Sequence, residues 1–190
     1  MTEIKRLNIG CGGDIQPGWV HLDMHPRPGV DVVHDIAITP WPFSDEEFDF
    51  VKASHVLEHL DNDHFIAAMR ELHRILKPGG VLSIRVPEAS CAAAIADPTH
   101  KMQFVPASFT HWGKHDMGPE TAAGISGLFN VEIIESLPQN RGQYDRGVPG
   151  SYFTEIIAEL VKPDPERERE IALRRAELLA QGPEHGGAHV

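Results

Sequence analysis

Residues 48–86, FDFVKASHVLEHLDNDHFIAAMRELHRILKPGGVLSIRV, read as a strand, a helix and a second strand. Phe48 to Ser54 is rich in Phe and Val and is announced by the turn residues Pro42 to Asp45. Phe65, Met69, Leu72 and Leu76 then recur at i, i+4, i+7 and i+11, on one helical face, with Asp61 or Asp63 placed to cap its start. Lys77-Pro78-Gly79-Gly80 ends that helix, because proline forbids its continuation, and Val81 to Val86 forms the next strand, stopped by Pro87. Two strands joined by one helix imply parallel pairing through a crossover.

Upstream, Leu7-Asn8-Ile9 runs into Gly10-Cys11-Gly12-Gly13, and Trp19 to Asp23 and Val30 to Asp35 are two more short strands, each closing on an acid. This alternation predicts an α/β sheet covered on both faces. Only 13 positions separate Gly10 from Asp23, and Pro17-Gly18 interrupts them, so the first helix is predicted to be shortened. Downstream, Ser90 to Ala96 reads as a small-residue helix, and Pro98 to Gly118 has no clear period. Phe129 to Ile134 and Tyr152 to Ile157 both alternate and are predicted to pair antiparallel at an edge. Pro163 to Ala180 is a charged helix with Ile171, Leu178 and Leu179 on its apolar side and Glu170/Arg174 as an i,i+4 pair. The expected organisation is one domain over 1–181 and a flexible tail over 182–190.

The composition sets the setting. The 190 residues are 41% hydrophobic and 24% charged, which excludes a wholly disordered chain or a fibrous repeat. No apolar run approaches the roughly 20 residues of a membrane span, and MTEIKR leads into a strand without a signal-peptide core. Cys11 and Cys91 form no CxxC pair, so neither a disulfide framework nor a cysteine zinc site is indicated. We expect a cytoplasmic protein with no membrane partner. A net charge of −11 repels phosphate backbones and argues against a nucleic-acid partner.

A glycine turn at the carboxyl end of a strand lets a ligand lie directly on backbone. The dinucleotide fingerprint GxGxxG fails here at Ile15, and the spacing to the next strand-end acid is 13 rather than about 20. Asp23 and Asp35 end strands on the same edge, where an open α/β sheet has its crevice, and a carboxylate there suits a ribose diol. Taken alone, each acid reads equally well as a turn or cap residue.

Together, Leu7-Asn8-Ile9-Gly10-Cys11-Gly12, Asp23, Asp35, Pro42-Phe43 with Phe48-Asp49, His55-Val56-Leu57-Glu58-His59 and Leu76-Lys77-Pro78-Gly79-Gly80 resemble class I S-adenosylmethionine-dependent methyltransferases of the methyltransferase-11 type. The resemblance covers about residues 5–87, with a looser echo to about 160. It implies a Rossmann-like, seven-stranded, mainly parallel sheet with an antiparallel edge strand, and S-adenosylmethionine as cofactor. Asn8, Gly10, Cys11 and Gly12 would support the methionine part, Asp23 with Met24 the ribose, and Asp35 with Ile36 the adenine, while His55 lines the methionine side. The chain departs from the family pattern at Asn8, where an acid is usual, at Asp14, where a glycine is frequent, and in the shortened first helix.

Residues 88–128 are expected to form the acceptor side. Asp97-Pro98-Thr99-His100, followed by Phe104, Pro106, Ser108 and Phe109, resembles a segment of methyltransferases that modify sugars or glycans, and an equally good reading has the two Phe rings packing under the sheet. His100 is the candidate base for a hydroxyl acceptor. The expected activity is methyl transfer to a small-molecule or sugar acceptor.

Two alternatives differ in class. His55/Glu58/His59 also spells HxxEH, the zinc-hydrolase motif, which requires a helix over 55–59; the cap residues start the helix later, so no metal ligands are expected. A further cluster of His100, His111 and His115 is read as scattered surface histidines. The other alternative is a non-catalytic cofactor-binding protein.

Overall fold

The computed structural model describes residues 4–113, 127–139 and 153–169. Strands β1 (Arg6–Ile9), β2 (Val20–Asp23), β3 (Val32–Val33), β4 (Phe48–Ser54) and β5 (Leu76–Pro87) run parallel. β6 (Asn130–Gln139) and β7 (Phe153–Val161) complete a seven-stranded sheet of order β3-β2-β1-β4-β5-β7-β6. β7 runs antiparallel to both β5 and β6, so the antiparallel pairing lies at that edge with β6 outermost. The order turns back between β1 and β4, which opens a crevice at the carboxyl ends of those strands.

The rows of side chains across the sheet explain where the core sits. Leu7, Val51, Leu82 and Leu160 are successive partners across β1, β4, β5 and β7, as are Ile9, Ala53, Ile84 and Ala158, and all eight are fully buried. The row between them is Asn8, Lys52, Ser83 and Glu159, which is polar throughout. Helix α1 (Asn62–Ile75) joins the apolar rows in one cluster through Phe65, Ala68, Met69, Leu72 and Ile75. Asp61 caps it by accepting from the His64 amide at 3.1 Å. A cap contributes about 1 kcal/mol and each large buried side chain about 1.5–3, so packing rather than capping holds α1 in place.

Three expectations change. The connections β1–β2, β2–β3 and β3–β4 carry no helix among the described residues, so the apolar core lies on one face rather than both; the first helix is replaced outright by turns around Pro17-Gly18. The third strand shrinks to Val32–Val33 because the flanking acids serve loops, Asp31 accepting from the His21 amide and Asp35 from the Ala37 amide. Lys77 to Gly80 belongs to β5 instead of a turn: Gly79 donates to Lys162 and Lys162 to Gly80, with a register shift opposite Phe48 and Phe50. Over residues 98–113 the reading in which the Phe rings pack as core holds: Phe104 stacks on Phe109 and both Phe104 and Trp112 meet Phe65 edge-on, with short helices α2 (Ala92–Ala96) and α3 (Ala107–Thr110) within the same crossover. The charged helix begins at 165–169; its apolar side, the Glu170/Arg174 pair, His115 and the tail lie outside the described residues.

Candidate functional site

The glycine turn is assembled from within. Gly10 has φ +60°, and a Cβ there would stand 2.4 Å from Val56 Cγ2, so only glycine fits on both counts. Gly12, at φ +54°, donates its amide to Asp23 Oδ2 at 2.8 Å, while the His25 amide donates to Asp23 Oδ1 at 2.9 Å. Each carboxylate oxygen therefore has one backbone partner and keeps lone pairs for a ligand. Beneath the turn, the Asn8 amide donates to the Asp14 carbonyl at 2.9 Å and reaches Asp14 Oδ2 at 3.4 Å, and Lys52 donates to the same carboxylate at 2.6 Å. The Lys52 ammonium, with Gln16 and Asn8, holds the Asp14 carboxyl below its ordinary range. The two departures from the family pattern are thus one exchange: a carboxylate at 14 needs a donor at 8, where an acid would repel it.

Above the turn lies a cavity of about 250 Å³. Gly10, Asp23, Met24, Asp35, Ile36 and His55, six of the residues read from the sequence as cofactor-binding, line it. Asn8, Cys11 and Gly12 are not on its wall; Asn8 and Cys11 are buried, and all three shape the turn instead. The wall also includes Val56 and His59, which the quoted His55 to His59 motif contains without a cofactor role, and Leu22, His25, Arg27 and His34, which no motif marked. The only signal of the latter is position, beside the ends of β2 and β3.

The far wall is a charged network. His55 follows β4 in a left-handed conformation, φ +53°, that a non-glycine residue adopts only when its surroundings enforce it. Its Nε2 meets Glu155 Oε1 at 2.7 Å, and its Nδ1 stands 3.3 Å from Glu58 Oε1. Burial pushes the imidazole toward neutrality, but the Glu58 and Glu155 carboxylates more than offset it and raise its pKa. Glu155 was missed because strand alternation places it beside fully buried Ile156, on what reads as the solvent side.

Leu57–His59 is a single 3₁₀ turn, and α1 starts only at Asn62. The helix that HxxEH zinc chemistry requires is absent, and His55 is engaged with Glu155. His100 does not line the cavity: it sits behind His59, ring centroids 4.9 Å apart, with Nδ1 3.2 Å from the Ala94 carbonyl and Nε2 3.8 Å from Asp97. No helix among the described residues is long and apolar enough to cross a membrane.

The methyltransferase domain family matches residues 5–142 of the chain. Over 60 residues the sequence is 38% identical to a demethylmenaquinone methyltransferase of Staphylococcus saprophyticus, a stretch that spans 32% of this chain and 23% of that enzyme. The N-methyltransferase NodS of Bradyrhizobium japonicum, solved with S-adenosyl-L-homocysteine, superposes with a TM-score of 0.57 at 15% identity, over 85% of this chain and 79% of that one. The [4+2]-cyclase SpnF superposes with a TM-score of 0.56 at 16% identity, over 85% and 76% of the two chains. These likenesses define the fold, and the family match covers both the glycine turn and β1 to β6. The chain belongs to the methyltransferase domain family.

Proposed function

We propose that this chain methylates a hydroxyl of a small-molecule or sugar acceptor, with S-adenosylmethionine held in the cavity above the glycine turn and the acceptor entering from the 88–128 side. The observation that carries the reading is Asp23. It stands on the cavity wall at the end of β2, only 8% exposed, with both oxygens oriented by backbone amides beside the bare backbone of Gly10. That donor set fits the cofactor: a fixed carboxylate for the ribose diol, the Gly10 backbone against the methionine portion, and apolar Leu22 and Ile36 beside Asp35 for the purine.

The chemistry that S-adenosylmethionine supplies is a methyl carbon on a sulfonium: the new O–C bond forms as the C–S bond breaks and its electron pair stays on sulfur. What the protein contributes is alignment. His55, pinned by Glu155 and Glu58, fixes the wall between β4 and the 3₁₀ turn. The hydroxyl proton leaves toward the histidine pair His59 and His100, of which His59 faces the cavity. The sugar preference rests on the Asp97 to Phe109 segment. The acidic charge speaks against nucleic acid, and two buried free cysteines suit a reducing cytoplasmic compartment.

The test is release of S-adenosylhomocysteine across a screen of nucleotide sugars and hydroxylated metabolites. Turnover with any of them supports the reading; a folded chain that binds the cofactor and methylates none of them, nor any amine or carbon acceptor added to the screen, contradicts it.

A further inference from the structure

We propose that Glu58, His59 and His100 form a site for one divalent transition-metal ion on the acceptor side of the cavity. One oxygen of Glu58 and one ring nitrogen of each histidine lie within 4.8 Å of one another. Bond lengths of about 2.0–2.2 Å separate two ligand atoms by at most about 4.4 Å, so small side-chain rotations close the set. This differs from the sequence reading in its membership: HxxEH supplies only its Glu and second His, and the third ligand, His100, lies 41 residues beyond His59.

Three observations point to an ion rather than to a chance meeting of rings. The carboxylate of Glu58 is 1% exposed, and neither oxygen accepts a hydrogen bond among the described residues; its nearest cation, His55 Nδ1, stands at 3.3 Å. A buried carboxylate short of donors is costly, and a cation between it and the two rings supplies what is missing. Both rings are also fixed in the tautomer that ligation needs. The Ala94 carbonyl only accepts, so His100 Nδ1 carries the proton that it donates there. Thr99 Oγ1 gives its one hydrogen to Asp97 Oδ1 at 2.6 Å and therefore accepts from His59 Nδ1 at 3.0 Å. Nε2 is left with its lone pair on each ring, held by the outer hydrogen bond usual for metal-bound histidine. Finally, the backbone builds the cluster: the Glu58 carbonyl accepts from the Lys101 and Met102 amides, which staples the segment carrying His100 to the 3₁₀ turn.

Two imidazoles and one carboxylate suit zinc, iron or manganese and leave coordination positions open. His59 lies on the cavity wall, so the open side faces the acceptor. This rests on the reading of the preceding subsection but changes the proton's destination: with both Nε2 lone pairs on the ion, the ion takes the acceptor's oxygen and the proton leaves to water instead of to the histidine pair. His100 then acts through the ion and not as a free base.

Metal binding is tested on the full chain, stripped with chelator, by calorimetry with zinc and by the visible spectrum of added cobalt. One equivalent of cobalt should give ligand-field bands that zinc displaces. Glu58→Gln and His100→Ala, each shown folded by its circular dichroism, should weaken binding by more than the about ten- to a hundredfold typical of losing an outer partner. His64→Ala, a solvent-facing histidine on α1, should leave it unchanged. Absence of a saturable equivalent overturns the proposal, as does equal affinity in folded His100→Ala, which would place the ion on other histidines. S-adenosylhomocysteine binding without metal binding rejects this site and spares the functional reading; metal binding without cofactor binding does the reverse.

Discussion

The two walls of the cavity are built differently. At the glycine turn the deciding contacts are local: Asn8 reaches Asp14 six residues on, and Gly12 reaches Asp23 eleven residues on. On the far wall they are remote, with His59 against Thr99 at a separation of 40 and His55 against Glu155 at 100. A local wall is specified by one stretch of sequence and can be read from it. A remote wall exists only once α1, β5 and β7 are packed, so its residues look ordinary until they meet.

The sharpest way to break the local wall is Gly10→Val. Left-handed strain and overpacking against Val56 each cost about 1–3 kcal/mol, so a loss of stability toward the upper end of 2–6, read as a fall in thermal midpoint, is expected together with loss of cofactor binding. Next is Asp23→Ala, which removes the acceptor of two backbone amides and the proposed ribose anchor. Cofactor affinity should drop by about ten- to a hundredfold, or 1.5–3 kcal/mol, in a chain that still folds. Unchanged affinity by calorimetry would remove Asp23 from the site.

A contact remote in sequence but away from the cavity separates stability from binding. Glu71 on α1 accepts from the Trp41 amide at 2.6 Å and pairs with Arg74, whose hydrogen bonds hold its carboxyl below the ordinary range against the opposing effect of burial. Because the folded pKa is depressed, this stabilisation is present above the ordinary glutamate value of about 4.3 and is lost as pH falls through the folded value. Glu71→Gln should cost about 1–3 kcal/mol at neutral pH, with the difference in thermal midpoint from the parent narrowing under acid and cofactor affinity unaltered. A difference that persists at the lowest pH would assign the loss to packing. The smallest effect is expected from Gly12→Ala. It shares the left-handed backbone of Gly10, but a Cβ there meets nothing within 4 Å, so only the backbone term of about 1–2 kcal/mol remains. A loss as large as that of Gly10→Val would mean that the turn tolerates no strain and that Val56 is not what distinguishes the two glycines.

The same contrast explains what could be read in advance. β4 runs from Phe48 to Ser54 as its composition predicted, and α1 is capped by Asp61 and buries the face carrying Phe65, Met69 and Leu72. These follow from periodicity and a cap, which are local. Asp23, Asp35 and Ile36 reached the cavity because strand ends are local signals too. Helices between the first four strands were over-read, since alternating turns between short strands mimic the spacing of crossovers without supplying an apolar face. Lys77 to Gly80 looks like a stop, yet Gly79 and Gly80 have the backbone of Lys162 to pair with, a partner too far along the chain for any window to contain. Glu58 and His100 were each marked in the sequence, but their meeting with His59 was hidden for the same reason.

The most direct test of the account is hydrogen exchange of the unmodified chain with and without S-adenosylhomocysteine, run beside a calorimetric titration. One molecule should bind per chain and slow exchange at the amides of Gly12 and His25, which donate to Asp23, and of Ala37, which donates to Asp35. Saturable binding that protects other segments and leaves these amides unchanged, or no binding at all, would contradict the assignment of this cavity to the cofactor.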